Sequence, residues 1–216
     1  MTTAWSERVV EQSEVVQRTR ARQVEQGRAI VAAARRLIDE RGDQFTIQEL
    51  VREASVSLQT FYKTFGGKDQ LLLAVFEDLI AEGSARFEEA ARELPGPVER
   101  LHFYVTTALL SLTSAPAGIS PRFMTSEHWR LHQLFPAEAA RATQPFAEMV
   151  ARQIVLANDE GILTSPDPAR DAWFVSELIT SVFHHCAFAG AGPEPARTAE
   201  ELWSFCLRAL GGAVGP

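Results

Sequence analysis

Residues 46–68 read TIQELVREASVSLQTFYKTFGGK. Thr46 and Glu49 make a Thr-x-x-Glu capping box, which starts a helix sharply because each side chain satisfies a backbone N–H of the other residue. That helix puts Ile47, Leu50, Val51 and Ala54 on one face. Ser55 and Val56 make a short turn, and Ser57 caps a second helix whose apolar residues are Leu58, Phe61 and Phe65. Two short helices across a tight turn, the second rich in polar groups, describe a helix-turn-helix. Phe61 and Phe65 hold the second helix to a core, which leaves Gln59, Thr60, Tyr62, Lys63 and Thr64 to face outward. A Gln pairs bidentately with adenine, and Tyr62, Lys63 and Lys68 suit phosphate oxygens. Lys68 also opens the next helix, whose amide groups and dipole favour phosphate.

The surrounding chain is 216 residues long with a net charge of −7. The total argues against nucleic acid, but the distribution reverses that reading. Residues 1–70 hold 11 Lys and Arg against 10 Asp and Glu, whereas residues 71–216 hold 10 against 18. Between Arg18 and Arg36 there are six arginines and one acid, Glu25. Apolar residues recur at helical spacing almost throughout, with no alternating strand and no hairpin signal. Gly and Pro clusters cut the chain into helix-length pieces. The expectation is an all-α protein of about nine helices: 28–41, 46–54, 57–64, 68–94, 97–114, 121–135, 137–160, 168–189 and 195–210. Residues 1–25 form an N-terminal extension, read as a frayed helix or a disordered arm. No apolar run exceeds six residues, the length of Leu71–Phe76, so no membrane span is expected. The absence of a signal segment and the presence of only Cys186 and Cys206 point to the cytoplasm.

The span Arg28–Leu72 resembles the DNA-binding domain of TetR-type transcriptional regulators. The matching pieces are Arg28-x-Ile30-x-x-Ala33-Ala34, the close Glu40-Arg41-Gly42, the Thr46-Ile47 opening, the Val56-Ser57 turn, Thr60-Phe61-Tyr62-x-x-Phe65, and Lys68-Asp69-x-Leu71-Leu72. Two departures stand out. Ser55 occupies a turn position where the family usually has Gly, at a cost of about 1 kcal/mol if its φ is positive. Leu58 and Gln59 replace the family's common basic residue and Gly, so base reading should differ. The resemblance implies residues 26–70 as a three-helix DNA-binding domain contacting double-stranded DNA through Arg28, Thr46, Ser57, Leu58, Gln59, Thr60, Tyr62, Lys63, Thr64 and Lys68. Arg18, Arg20 and Arg22 either reach the adjacent minor groove or are merely solvated.

The resemblance further implies residues 71–216 as a ligand-binding and dimerisation domain. The homodimer would form through helices 168–189 and 195–210, the first apolar almost all round and the second striped by Leu202, Trp203, Cys206 and Leu210. A central core helix in a monomer is the alternative. A small-molecule effector, mainly apolar, would bind among Phe103, Thr107, Phe123, His128, Trp129, Phe174 and Glu177, with His184 as a further polar group. Aromatic stripes at helical spacing also serve as plain core. The implied function is that of a dimeric repressor released from a palindromic operator. His128 with His132, and His184-His185-Cys186 with Cys206, are loose clusters, and no metal or other cofactor is expected. No nucleophile elbow, phosphate-binding loop, dinucleotide fingerprint or zinc-protease motif is present, so an enzyme is not expected.

Overall fold

The computed structural model describes residues 14–42, 44–112, 119–188 and 194–213. Trp5 and Val9 of the N-terminal extension, and the ends of the helices expected to reach Ser114 and Ala189, lie outside them. Among the described residues there are nine helices and no strand: α1 Glu14–Arg41, α2 Ile47–Glu53, α3 Leu58–Thr64, α4 Lys68–Ala90, α5 Pro97–Leu110, α6 Pro121–Leu134, α7 Pro136–Asp159, α8 Pro168–Phe188 and α9 Pro195–Ala209. Each of α5 to α9 opens on proline, whose fixed φ suits the first helical position and whose missing N–H costs nothing there. The chain divides into two compact units at Val75 and Phe76.

In the first unit α1 runs for 28 residues, about 42 Å. It begins at Glu14 rather than at Arg28, so the described part of the expected extension is helix. Only from Ile30 onward does α1 bury a stripe, formed by Ile30, Ala33, Ala34, Leu37 and Ile38. The helix stops at Gly42, whose φ of +65° a residue with a Cβ adopts at a cost. Phe45, Leu50, Phe61, Leu71 and Leu72 are likewise buried.

The turn between α2 and α3 is a Schellman motif. Val56 N donates to Val51 O at 2.9 Å and Ser55 N to Arg52 O at 3.2 Å. Such a turn needs one left-handed residue, and Ser55 supplies it with φ +54°. The left-handed conformation costs an L-residue about 1–2 kcal/mol, part of which glycine returns through its freer unfolded chain. Ser55→Gly is therefore expected to stabilise the unit by about 0.5–1 kcal/mol, read as a higher urea midpoint at unchanged slope. A lowered midpoint would mean that the serine side chain compensates the strain.

In the second unit α7 packs on α8, and α9 packs chiefly on α5. Leu101 and Val105 of α5, Ile154 of α7, Ile179 of α8 and Leu202 and Cys206 of α9 meet in one core. Asn158 closes the link to α8: its Nδ2 donates to Ser165 O at 2.7 Å and its Oδ1 accepts from Ser165 N at 3.1 Å. The four-residue stripe on α9 expected at a partner surface is instead buried in this core.

Candidate nucleic-acid interface and cavity

The α2–α3 pair is fixed by its caps. Thr46 Oγ1 accepts from Glu49 N at 3.2 Å and Glu49 Oε2 accepts from Thr46 N at 2.8 Å, completing the capping box. These hydrogen bonds, with Arg41 nearby, hold the Glu49 carboxyl below the usual carboxylate range. Ser57 Oγ accepts from Thr60 N at 3.0 Å. Arg36 Nε reaches Glu53 Oε1 at 2.8 Å, tying α1 to α2. Phe61 is fully buried, with Phe65 6.1 Å and Tyr62 5.1 Å away between ring centroids. Anchored on that side, α3 turns the other outward: Ser57, Leu58, Gln59, Tyr62, Lys63 and Thr64 are exposed, and Thr60 is half-buried behind its bond to Ser57. Thr46 and Arg28 are also exposed. A Cβ on Gly27 would stand 3.7 Å from Thr64 Cγ2, so α1 passes beside the end of α3 one residue before Arg28.

Lys68 is placed differently from the other basic residues. Its Nζ donates to Phe45 O at 3.0 Å and sits 4.3 Å from the centre of the Phe45 ring. It ties the start of α4 to the α1–α2 connection, a structural task that the sequence does not announce.

The second unit holds a partly open cavity of about 210 Å³. Helix α4 contributes Phe76, Leu79, Ile80 and Phe87, α6 contributes Met124 and His128, α7 Thr143 and Phe146, and α8 Phe183 and His184. A wider groove of about 1000 Å³ lies against it, lined by Trp129, Phe174 and Glu177 among others. Of the residues expected to bind a ligand, only His128, with His184, lines the cavity. Trp129, Phe174 and Glu177 line the outer groove, and Phe103, Thr107 and Phe123 line neither. Phe103 instead packs edge-on against Phe87 at 6.2 Å. The residues missed are the α4 aromatics and Phe146 and Phe183, whose spacing is that of ordinary core.

The His128 ring stacks on Phe76 at 5.2 Å and lies 4.9 Å from the ring of His184. Burial, then the neighbouring His184 and His132, push its pKa down to about 4, so it is neutral at physiological pH. Burial lowers His184 as well. The Nδ1 of His128 is buried without a hydrogen-bond partner. Among the described residues, no three His, Cys, Asp or Glu are grouped to hold a metal ion. None of the described helices is long and apolar enough to cross a membrane.

A family profile described as bacterial regulatory proteins, tetR family, matches residues 30–75. The HTH-type transcriptional regulator BetI of Brucella suis biovar 1 (strain 1330) is 35% identical over 75 residues, 34% of this chain and 38% of that protein. The HTH-type transcriptional regulator EthR of Mycolicibacterium smegmatis is 30% identical over 73 residues, 33% of this chain and 34% of that protein. These matches thus span little more than a third of either relative. Over nearly the whole chain the fold is similar to that of RolR in complex with resorcinol, with TM-score 0.68 and 19% identity, covering 89% of this chain and 90% of that one. It is equally similar to Thermus thermophilus FadR in complex with lauroyl-CoA, with TM-score 0.68 and 19% identity, covering 88% of this chain and 97% of that one.

Proposed function

We propose, from the match of residues 30–75 to the profile of bacterial regulatory proteins, tetR family, that the chain is a sequence-specific, dimeric DNA-binding regulator in the cytoplasm: a repressor released from its operator by a mainly apolar small molecule. One observation carries the reading. Within the matched span, a capped helix pair buries Phe61 and leaves Gln59, Tyr62 and Lys63 exposed on a single short helix. That is the division of labour a base-reading helix needs. The first unit is the DNA-binding domain, and Arg28, Thr46 and Lys63 are its phosphate-side groups. The second unit binds the effector and a second copy of the chain, and catalysis is no part of the role.

Support for the dimer comes from α8. Trp173, Phe174 and Phe188 are each about half exposed on its outer side, and Phe205 adds to them from α9. A two-fold dimer presents two α3 helices to successive major grooves about 34–36 Å apart, which makes the operator a pseudo-palindrome. Support for the effector comes from the cavity, and from the resorcinol and lauroyl-CoA held by the two similar structures.

Selection of bound sequences from a random duplex pool tests the reading. An enriched palindrome is expected. Lys63→Ala should weaken binding to all sequences and reduce the salt slope by about one. Lys63 is the cleaner choice than Lys68, whose substitution also removes the Phe45 contact. Gln59→Ala should relax preference at one position per half-site. No enrichment by protein unfolded and refolded to strip ligand would overturn the proposal.

A further inference from the structure

Four polar residues, His128, Thr143, Thr180 and His184, line both the inner cavity and the outer groove. They form a polar mouth between the two spaces, and behind it the walls are mainly apolar, with the hydroxyls of Ser84 and Ser111 already donated to helix carbonyls. We propose that the cavity takes a small, uncharged aromatic alcohol, with its ring inside among Phe76, Phe87, Phe146 and Phe183 and its hydroxyl at the mouth, paired with His128 Nδ1. The inference rests on the effector-released reading above and names the class of effector.

Size, charge and hydrogen bonding each narrow the ligand. An apolar cavity of about 150 Å³ holds benzene, so 210 Å³ accommodates one ring and a few further atoms. Among the described residues no Asp, Glu, Lys or Arg lines the cavity itself, and Arg141 in the outer groove is already paired with Glu138 at 3.1 Å. Both histidines are held neutral by burial, so a carboxylate entering the cavity would lose its hydration and find no cation. The buried Nδ1 of His128 needs a partner, and a hydroxyl both donates and accepts, so it serves either tautomer of the ring. The phenyl groups around the cavity are already set edge to face, as Phe87 and Phe146 are at 6.4 Å, and such walls suit a flat ring better than a chain.

The test is calorimetric titration of the full chain with three probes on one 4-ethylphenyl frame: 4-ethylphenol, its near-isostere 4-ethyltoluene, and the charged 4-ethylbenzoate. The phenol should bind about tenfold or more tighter than the hydrocarbon, the worth of one buried hydrogen bond, and the benzoate should not bind. His128→Phe should erase the preference of phenol over hydrocarbon while the hydrocarbon still binds. Gly83 also lines the cavity, and a Cβ there meets nothing within 4 Å, so Gly83→Leu fills empty space from within α4. That variant should fold with an equal or higher melting temperature and lose phenol binding. Binding of the benzoate as tight as the phenol, equal binding of phenol and hydrocarbon, or unchanged binding by Gly83→Leu would each overturn the proposal. Gel shift on the selected duplex separates the two readings. Phenol binding without DNA release supports this site and defeats release by an effector, whereas DNA selection without phenol binding defeats this site alone.

Discussion

Phe61→Ala is expected to cost the first unit about 3–5 kcal/mol, because it empties a fully buried aromatic site that only partly collapses. Total stability of a small domain is about 5–15 kcal/mol, so this one change takes roughly a fifth of it or more. The ring is the one fully buried side chain of α3, and Phe65 at 6.1 Å cannot take its place from beyond the end of a seven-residue helix. A helix of that length does not persist in water without tertiary support. Scanning calorimetry should show the transition of the first unit lowered by roughly 12 °C or more, and operator binding should vanish at temperatures where the parent still binds. A shift of only a few degrees, with DNA affinity intact, would show that α3 is held by something other than Phe61.

Ser181→Arg is expected to give monomers. On α8, Ser181 lies about two turns from Phe174 and from Phe188 and shares their outer side, while Ala172, Val175 and Ile179 face the core. Arg170 lies over Trp173 and Phe174 at 4.8 and 5.0 Å, covering one end of the apolar side and leaving its middle open around Ser181. A long side chain placed there meets its own symmetry mate across a two-fold axis, and pairing with Glu177 one turn away on the same helix does not remove that steric conflict. On the proposed dimer two half-sites are bound as one, so losing the partner should weaken operator binding by about 10²–10⁴-fold. Sedimentation velocity reads the first effect and gel shift the second. An unchanged sedimentation coefficient would remove the outer side of α8 from the interface.

What was legible in the sequence was what local chemistry fixes. Thr46 with Glu49, Ser57 with Thr60, and the prolines that open α5 to α9 act within one turn of themselves, so their pattern and their geometry coincide. The positive φ of Ser55 was legible only through the resemblance, which puts Gly at that turn position. The start of α1 was not, because the turns before Ile30 bury no stripe whose period could announce them. The cavity was not either. Phe87 and Phe103 occupy equivalent-looking positions on amphipathic helices, yet one lines empty space and the other packs against its back. Periodicity says that a side chain faces inward and does not say whether the inside is filled. The stripe on α9 failed likewise: Leu202, Trp203, Cys206 and Leu210 were legible as apolar, but whether the partner is α5 or another chain depends on what lies opposite.

The chain contains only two lysines, and their settings differ. Lys63 projects from α3 into solvent, while Lys68 is held against the Phe45 carbonyl and ring. Acylation by an amine-directed reagent is therefore a two-site readout of the first unit alone. Modification of Lys63 should proceed at the rate of a free amine and be blocked by bound duplex. Modification of Lys68 should lag, its rate set by how often the Phe45 latch opens, so that mass spectrometry of two peptides reports occupancy from one site and breathing from the other.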